Sequence, residues 1–208
     1  MDILISFNNA YQSPGFPILA ILDTSTYALR IVEMPNEIPD TGVLGLEISS
    51  KYVFVGLQYA FNARESYRIP PEVGFQYNHD GLLASLNPCS LLIFDRNNFN
   101  LINQYVFEHV ADVHSMLLSE DETSLLVVST GTDELVEIKL EGAEVLSEKT
   151  IWRPESHGEL KDIHHLNSIC YWHGDFLISG FGKKEVANDW NSARNGFIYN
   201  ISKNQFLK

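Results

Sequence analysis

The sequence has few cysteines, no long apolar segment and no sustained helical pattern. Cys89 and Cys170 are too few for a disulfide framework, so we expect both thiols to be reduced and structural. No apolar run approaches the length that crosses a bilayer, and residues 1–4 lack the basic and apolar regions of a secretory signal. These absences predict a cytoplasmic protein of the all-β class with no membrane partner.

Basic residues are also scarce. The chain has 14 lysine and arginine residues against 27 aspartate and glutamate residues, which gives a formal net charge of -13. Such an acidic chain repels phosphate backbones, so we expect no nucleic acid partner. A Gly-rich phosphate loop, a nucleophile elbow and a paired CxxC motif are missing as well, which removes the support for several reaction classes.

What the sequence does contain is a repeated pair of strands. An apolar strand, a short polar turn and a second strand rich in β-branched and aromatic residues occur at 44–58, 115–129 and 168–180. Aligning Ser115 with Ser168 gives a period of about 53 residues, close to the roughly 40 to 50 residues of propeller blades. The repeat favours a β-propeller over a sandwich, because modules that cannot bury both faces alone stack around an axis.

A third and a fourth strand follow each pair, so about four four-stranded antiparallel blades are visible in a single domain over residues 1–208. The first unit lacks its opening strand and the last strand begins only at Gln205. Either a very small propeller closes by pairing its ends, or the chain is part of a larger ring that further sequence or another subunit completes. We favour the larger, incomplete ring.

The long loops are predicted to share one end of the propeller. With strands a to d counted outward from the axis, the b-to-c and d-to-a connections lie at the same end. The long loops fall on these connections, at 8–16, 60–88 and 182–196 and at 35–42, 108–113 and 153–166. Binding residues concentrate on such loops, so we expect this end to be the working face.

Four polar residues at the beginnings of inner strands, here called strand mouths, form the first candidate site. His114 and Asn167 are equivalent in the repeat, each one residue before the aligned serine. Together with His165 and Asp112 they could bind a divalent metal ion such as calcium or zinc, or polarise a substrate oxygen. We assign His114, His165 and Asn167 as candidate catalytic residues. The alternative is that these residues only form hydrogen bonds between blades.

Two further loops carry candidate residues. The loop around His157, Glu159, Asp162, His164 and His165 offers imidazoles and carboxylates for a metal, or is simply a solvated polar loop. The 60–88 loop could form a lid that grips an anionic or sugar-like ligand, or could pack against a neighbouring subunit. The candidate ligand-binding residues of the face are Arg64, Tyr67, Arg68, Tyr77, His79, Trp190 and Arg194.

The last part of the chain resembles a known superfamily. The segments Leu166-Asn167-Ser168-Ile169, 174–179 and Gly196-Phe197-Ile198 are similar to the repeat of the NHL and gluconolactonase-like propellers. This resemblance implies a propeller fold and, in the calcium-dependent lactonases of the superfamily, an Asn at the strand mouth that lines the metal and substrate site. Asn167 matches that position, and His114 stands where the preceding unit is expected to have Asn or Asp.

Three functions therefore stay open. The first is binding of a small polar or anionic molecule, or of a protein partner, at the long-loop face. The second is a metal-dependent hydrolase or lyase of the gluconolactonase-like type, in which a divalent ion activates a water or a carbonyl oxygen. The third is a structural subunit that completes its ring as a homo-oligomer.

Overall fold

The protein is a set of antiparallel sheets arranged side by side. A computed structural model describes residues 2–7, 18–34, 42–57, 89–154, 162–183, 185 and 192–207. Over these residues there are one three-stranded sheet and three four-stranded sheets, each with its strands in simple sequence order. Within the same residues, no helix is long and apolar enough to cross a bilayer. The predicted repeat of antiparallel units is confirmed, and the first unit has three strands, as expected.

We number the sheets as blades 1 to 4. Blade 1 contains β1 (Asp2–Ser6), β2 (Leu19–Asp23) and β3 (Leu29–Ile31); blade 2 contains β4 (Val43–Ile48), β5 (Tyr52–Leu57), β6 (Ser90–Asp95) and β7 (Leu101–Val106). Blade 3 contains β8 (Val113–Leu118), β9 (Ser124–Ser129), β10 (Glu134–Glu141) and β11 (Glu144–Trp152); blade 4 contains β12 (Leu166–Trp172), β13 (Asp175–Gly180), β14 (Phe197–Asn200) and β15 (Gln205–Phe206).

Local side chains set the turn between the last two strands in blades 1 and 2. Asp23 ends β2, and its carboxylate accepts the amide of the second residue after it at 2.8 Å. Asp95 does the same at the end of β6, also at 2.8 Å. The turns then pass through a left-handed residue, Tyr27 with φ of 58° and Phe99 with φ of 59°. Aspartate stabilises such turns because its side chain replaces a backbone acceptor.

The core lies between neighbouring blades. In β5, Val53 and Val55 pack with Leu19 of blade 1, whereas Phe54 between them packs with Leu125 of blade 3. Successive side chains of a strand point to opposite faces, so this sheet is buried on both. Two facing sheets would bury only one face of each, and the side-by-side arrangement is the one predicted from the repeat.

Candidate functional site

A β-bulge displaces one residue at the mouth of the innermost strand in blades 2, 3 and 4. Leu44, His114 and Asn167 are skipped in the pairing of β4, β8 and β12 with the strands beside them. A bulge leaves the extra residue out of the ladder and changes the direction of its side chain. The innermost strand β8 contacts both β4 and β12. The equivalent positions of successive blades are thereby brought close together.

The two bulged polar residues contact each other. His114 Nδ1 lies 3.1 Å from Asn167 Oδ1. Asp112 and His165, each directly before an inner strand, have left-handed backbones with φ of 56° and 51°. These turns bring Asp112 Oδ2 to 3.4 Å from His114 Nε2 and the His165 ring to 4.9 Å from the His114 ring, edge to face. All four residues of the first predicted constellation therefore come together.

Asp162 joins the same cluster. Its carboxylate oxygens lie 3.2 and 3.3 Å from His165 Nδ1. Each of the two imidazoles thus faces a carboxylate, His114 facing Asp112 and His165 facing Asp162. Of the described residues of the second candidate loop, Asp162 and His165 reach this cluster, whereas His164 points away and packs against Phe197 with ring centroids 5.9 Å apart.

The surroundings of His114 favour its charged form. Burial lowers the pKa of His114, but the hydrogen bond and charge of Asp112, the Asn167 oxygen and the charge of Asp162 together raise the pKa above its ordinary value. Both ring nitrogens face an oxygen, so a doubly protonated ring can donate to each. The His114 side chain is 19% exposed. A small molecule can therefore reach it at the end of the blades where the inner strands begin, which we call the axial end.

A buried carboxylate that the sequence analysis missed holds this loop in place. Asp133 accepts the backbone N–H groups of Ile163 at 2.7 Å, His164 at 2.6 Å and Leu166 at 3.3 Å. Its side chain is fully buried, and burial raises the pKa of the Asp133 carboxyl. Three amide donors on one carboxylate fix the path of the chain on both sides of His165. Asp133 is therefore a positioning residue.

A single turn of 3-10 helix, Thr130–Thr132, joins the two strand mouths. Thr130 donates its amide to the Asp112 carbonyl at 3.1 Å and its hydroxyl to the Leu166 carbonyl. Gly131 donates to the Ala111 carbonyl at 2.9 Å. This turn connects the segment before β8 with the segment before β12, so the relative position of His114 and Asn167 is built into the blade contact.

Phe181 forms an aromatic wall beside the cluster. In blade 4 it occupies the place that Thr130 has in blade 3, because its amide donates to the His165 carbonyl at 3.3 Å. Its ring lies 4.8 Å from the His165 ring, and the side chain is exposed. The sequence carries no signal for the direction of the Phe181 side chain.

The predicted metal role of the cluster stays a prediction. Among the described residues, no group of three or more His, Cys, Asp and Glu side chains is arranged to hold a metal ion. His114 uses both ring nitrogens in contacts with Asp112 and Asn167, so a metal ion on it would have to replace one of them. The contact between His114 and Asn167 is a hydrogen bond between blades, which is the alternative role given above for these residues.

Of the remaining predicted residues, the structure describes Arg194. Arg194 lies beside a separate cavity between blades 3 and 4. Residues of the other long loops lie outside the described residues, namely Arg64, Tyr67, Arg68, Tyr77, His79, His157, Glu159 and Trp190.

Comparisons with known proteins place the chain by its fold. No family model matches the sequence, and no curated protein matches it. Solved structures do: the chain is similar to the β-propeller domain of Cps50 (Swd1) from Myceliophteria thermophila, with 11% identity over 91% of this chain and 47% of that chain and a TM-score of 0.50. The Dos1 propeller matches with 12% identity over 100% of this chain and 42% of that chain, with a TM-score of 0.50.

A third similar structure is described as a 6-phosphogluconolactonase from Bacteroides fragilis. It shares 13% identity over 100% of this chain and 52% of that chain, with a TM-score of 0.55. The chain spans about half the length of these structures. At such identities the likeness shows the fold alone. The prediction of a β-propeller with about four blades is confirmed, and membership of the NHL and gluconolactonase-like superfamily stays a prediction.

Proposed function

We propose that this chain is a binding propeller that holds a small polar ligand at the axial end of blades 3 and 4. The observation that carries the proposal is the convergence of Asp112, His114, His165 and Asn167, with His114 Nδ1 at 3.1 Å from Asn167 Oδ1. Two of these residues come from each blade, and bulges and left-handed turns aim them at one place. A few polar side chains that converge on one place are a common feature of ligand sites.

The chemistry of the cluster favours a polyhydroxylated ligand. Hydroxyl groups both donate and accept, so they can donate to the partly exposed Asp112 carboxylate and accept from the N–H groups of the Asn167 amide. Phe181 offers a flat apolar face against which a sugar-like ring can pack. A multiply charged anion fits less well, because two carboxylates flank the histidines.

A metal-dependent or metal-free hydrolase is the second candidate. The observation in its favour is that each histidine faces a carboxylate, since Asp162 lies 3.2 Å from His165 Nδ1 and Asp112 lies 3.4 Å from His114 Nε2. A carboxylate that orients an imidazole is a recurrent feature of general bases. One of the structural neighbours is described as a 6-phosphogluconolactonase, so a sugar lactone is the substrate class to test.

The experiment follows the histidine ring signals by NMR while probes are added. The probes are glucose, gluconate and δ-gluconolactone, each with and without calcium, zinc or manganese chloride. We expect glucose or gluconate to shift the ring signals of His114 and His165, and Asn167→Ala to weaken the effect. His173, in a short turn at the other end of blade 4, should not respond. If no probe moves the signals of His114 and His165, the binding proposal fails.

Hydrolysis is measured separately on the same samples. Release of acid from δ-gluconolactone, followed with a pH indicator, should exceed the uncatalysed rate if the second candidate is right. His165→Asn should then remove the excess, whereas the control variant His173→Asn should keep it. A rate equal to the uncatalysed rate with every metal contradicts the enzyme hypothesis and leaves the binding proposal to its own test.

Exposed apolar side chains on the first and the last blade support a protein partner as well. Ile31 on β3 is 56% exposed and Trp172 on β12 is 62% exposed. Exposed apolar side chains that together form a patch mark contact with another protein. We propose that a second copy of the chain covers them, as the ring-completing alternative requires. Light scattering tests this: a dimer that Trp172→Ser dissociates supports the proposal, and a stable monomer at high concentration contradicts it.

A further inference from the structure

A large cavity opens between blades 3 and 4. It lies away from the cluster of Asp112, His114, His165 and Asn167, which we call the axial cluster. The volume of the cavity is about 930 Å³, near the upper end of the roughly 300 to 1,000 Å³ of small-molecule sites. The end of β11 forms one side of it, and β14, β15 and the segment after β13 form the other. His164 lies between the two sites, because its neighbour His165 faces the axial cluster while His164 itself lines this cavity.

Aromatic rings form a continuous wall of the cavity. The ring centroid of Trp152 in blade 3 lies 5.2 Å from that of Tyr199 in blade 4, and the two ring planes are tilted by 35°. Tyr199 lies 4.9 Å from Phe206, and Phe206 lies 5.5 Å from Phe197. Trp152 and Tyr199 are half-buried, whereas Phe206 is 64% exposed. Exposed aromatic surface at the mouth of a cavity offers a flat ligand an area on which to stack.

The charge of the lining is opposite to that of the protein. Arg153, Lys183 and Arg194 line the cavity, and none of the described lining residues is acidic, although the chain carries a net charge of -13. Glu134 approaches Arg153 to 3.8 Å from the buried side, so it offsets one of the three charges. The remaining lysine and arginine make the cavity attractive to an anion.

The chain segments that carry Lys183 and Arg194 approach each other closely. Gly182, directly before Lys183, has φ of 85°, and a Cβ on it would lie 2.3 Å from the Arg194 carbonyl oxygen. Its amide also donates to the His164 carbonyl at 3.1 Å. Only glycine allows this close approach of the two segments. The backbones of Lys183 and Arg194 therefore lie near each other, and both residues line the cavity.

We propose that this cavity binds an aromatic anion, a planar ring that carries a carboxylate or a phosphate group. The ring stacks on Trp152 and Tyr199, and the acidic group contacts Lys183 and Arg194. Stacking and charge pairing act on different parts of such a molecule, so both are needed for full affinity. The proposal is independent of the axial site, because the two sites share no side chain.

The test uses two charged probes and their uncharged counterparts. Indole-3-acetate represents the carboxylates and AMP the phosphates, with indole and adenosine as matched controls. Binding is measured by calorimetry, and contact with the wall by the indole N–H signal of Trp152 in NMR spectra. We expect at least one charged probe to bind and to shift the Trp152 signal, and its uncharged counterpart to bind more weakly. The probe that binds more tightly identifies the acidic group.

Variants then separate the charge from the wall. Lys183→Gln and Arg194→Gln should each weaken the charged probe by roughly three- to tenfold and leave the uncharged probe unchanged. Lys149→Gln makes the same charge change on β11, outside the cavity lining, and should change neither. Trp152→Leu should weaken both kinds of probe.

Two results would overturn the proposal. One is that neither charged probe binds or shifts the Trp152 signal in a protein with well-dispersed spectra. The other is that Lys183→Gln and Arg194→Gln bind the charged probe as tightly as Lys149→Gln does.

Discussion

The carboxylate of Asp133 accepts the backbone N–H of His164 at 2.6 Å, so a buried acid of blade 3 fixes the chain that enters blade 4. The same carboxylate accepts the amides of Ile163 and Leu166. The segment between them carries His165 toward the axial cluster and His164 toward the cavity between the blades. Both proposed sites thus depend on one carboxylate that contacts neither ligand.

Replacing Asp133 should therefore disturb stability and both sites. Asp133→Ala removes the carboxylate acceptor of one buried and two partly buried amides, so we expect the free energy of unfolding to fall by roughly 2 to 4 kcal/mol. Urea titration measures the loss, and NMR should show shifted signals for His114 and His165. Asp121→Ala, in an exposed turn of blade 3, is the control and should cost much less. Equal losses for the two variants would contradict the positioning role of Asp133.

The strands could be predicted because their signals are local. Alternation and turn residues gave the strand pairs, and the structure begins β8 at Val113 and β12 at Leu166, two residues before the aligned Ser115 and Ser168. The extra residues lie across the bulge. Nothing in the alternation of Val113-His114-Ser115 distinguishes a bulge from a regular strand, because a bulge depends on the partner strand.

The axial cluster could be predicted in part, because the repeat itself aligns His114 with Asn167. The side chains that support the cluster could not. Asp133 lies about 30 residues from the amides that it binds, and Phe181 reaches His165 only through the pairing of β12 with β13. The cavity lined by Lys183 and Trp152 lies between two blades, so residues far apart in the sequence form it. Contacts of this kind follow from how blades pack, which has no local pattern in sequence.

The close approach at Gly182 makes a second prediction. Gly182 and Gly174 have similar backbones, with φ of 85° and 88°, but a Cβ on Gly174 would meet nothing within 4 Å. Gly174→Ala should therefore cost only the strain of the left-handed backbone, roughly 1 kcal/mol. Gly182→Ala adds a clash with the Arg194 carbonyl and should cost clearly more. Thermal unfolding of both variants checks this, and equal midpoints would contradict it.

Glu148 makes a third prediction, about the contact between blades 2 and 3. It accepts the Tyr105 hydroxyl at 3.1 Å and the amides of Glu108 and His109 at 2.8 and 2.7 Å. Partial burial, together with the charge and hydrogen bond of Glu148, raises the pKa of Tyr105 to about 12. Glu148→Gln should lower that pKa and reduce the free energy of unfolding by roughly 1 to 3 kcal/mol.

NMR of carbon-labelled tyrosine follows the Tyr105 titration, and urea unfolding follows the stability. Glu141→Gln, at the exposed end of β10, serves as the control for the change in net charge. A Tyr105 pKa that is the same in Glu148→Gln and in the wild type would show that the contact is not formed.

The raised pKa of His114 makes a fourth prediction, about pH. Its pKa is higher in the folded protein than the ordinary 6.5. Folding therefore binds a proton at pH values between the ordinary pKa and the folded-state pKa. The resulting stability is fully present below about pH 6.5 and is lost as the pH rises through the folded-state pKa. The stability difference between the wild type and His114→Gln should therefore shrink from pH 6 to pH 8.5 in samples treated with EDTA. A difference that grows over this range would contradict the assignment.

The contact between the rings of His114 and His165 tests the whole account most directly. Their centroids lie 4.9 Å apart only if blades 3 and 4 pack side by side with their strand mouths at one end. Nuclear Overhauser spectra of histidine-labelled protein should show cross-peaks between the two rings and none from either ring to His173. Well-resolved ring signals without a cross-peak between His114 and His165 would contradict the account.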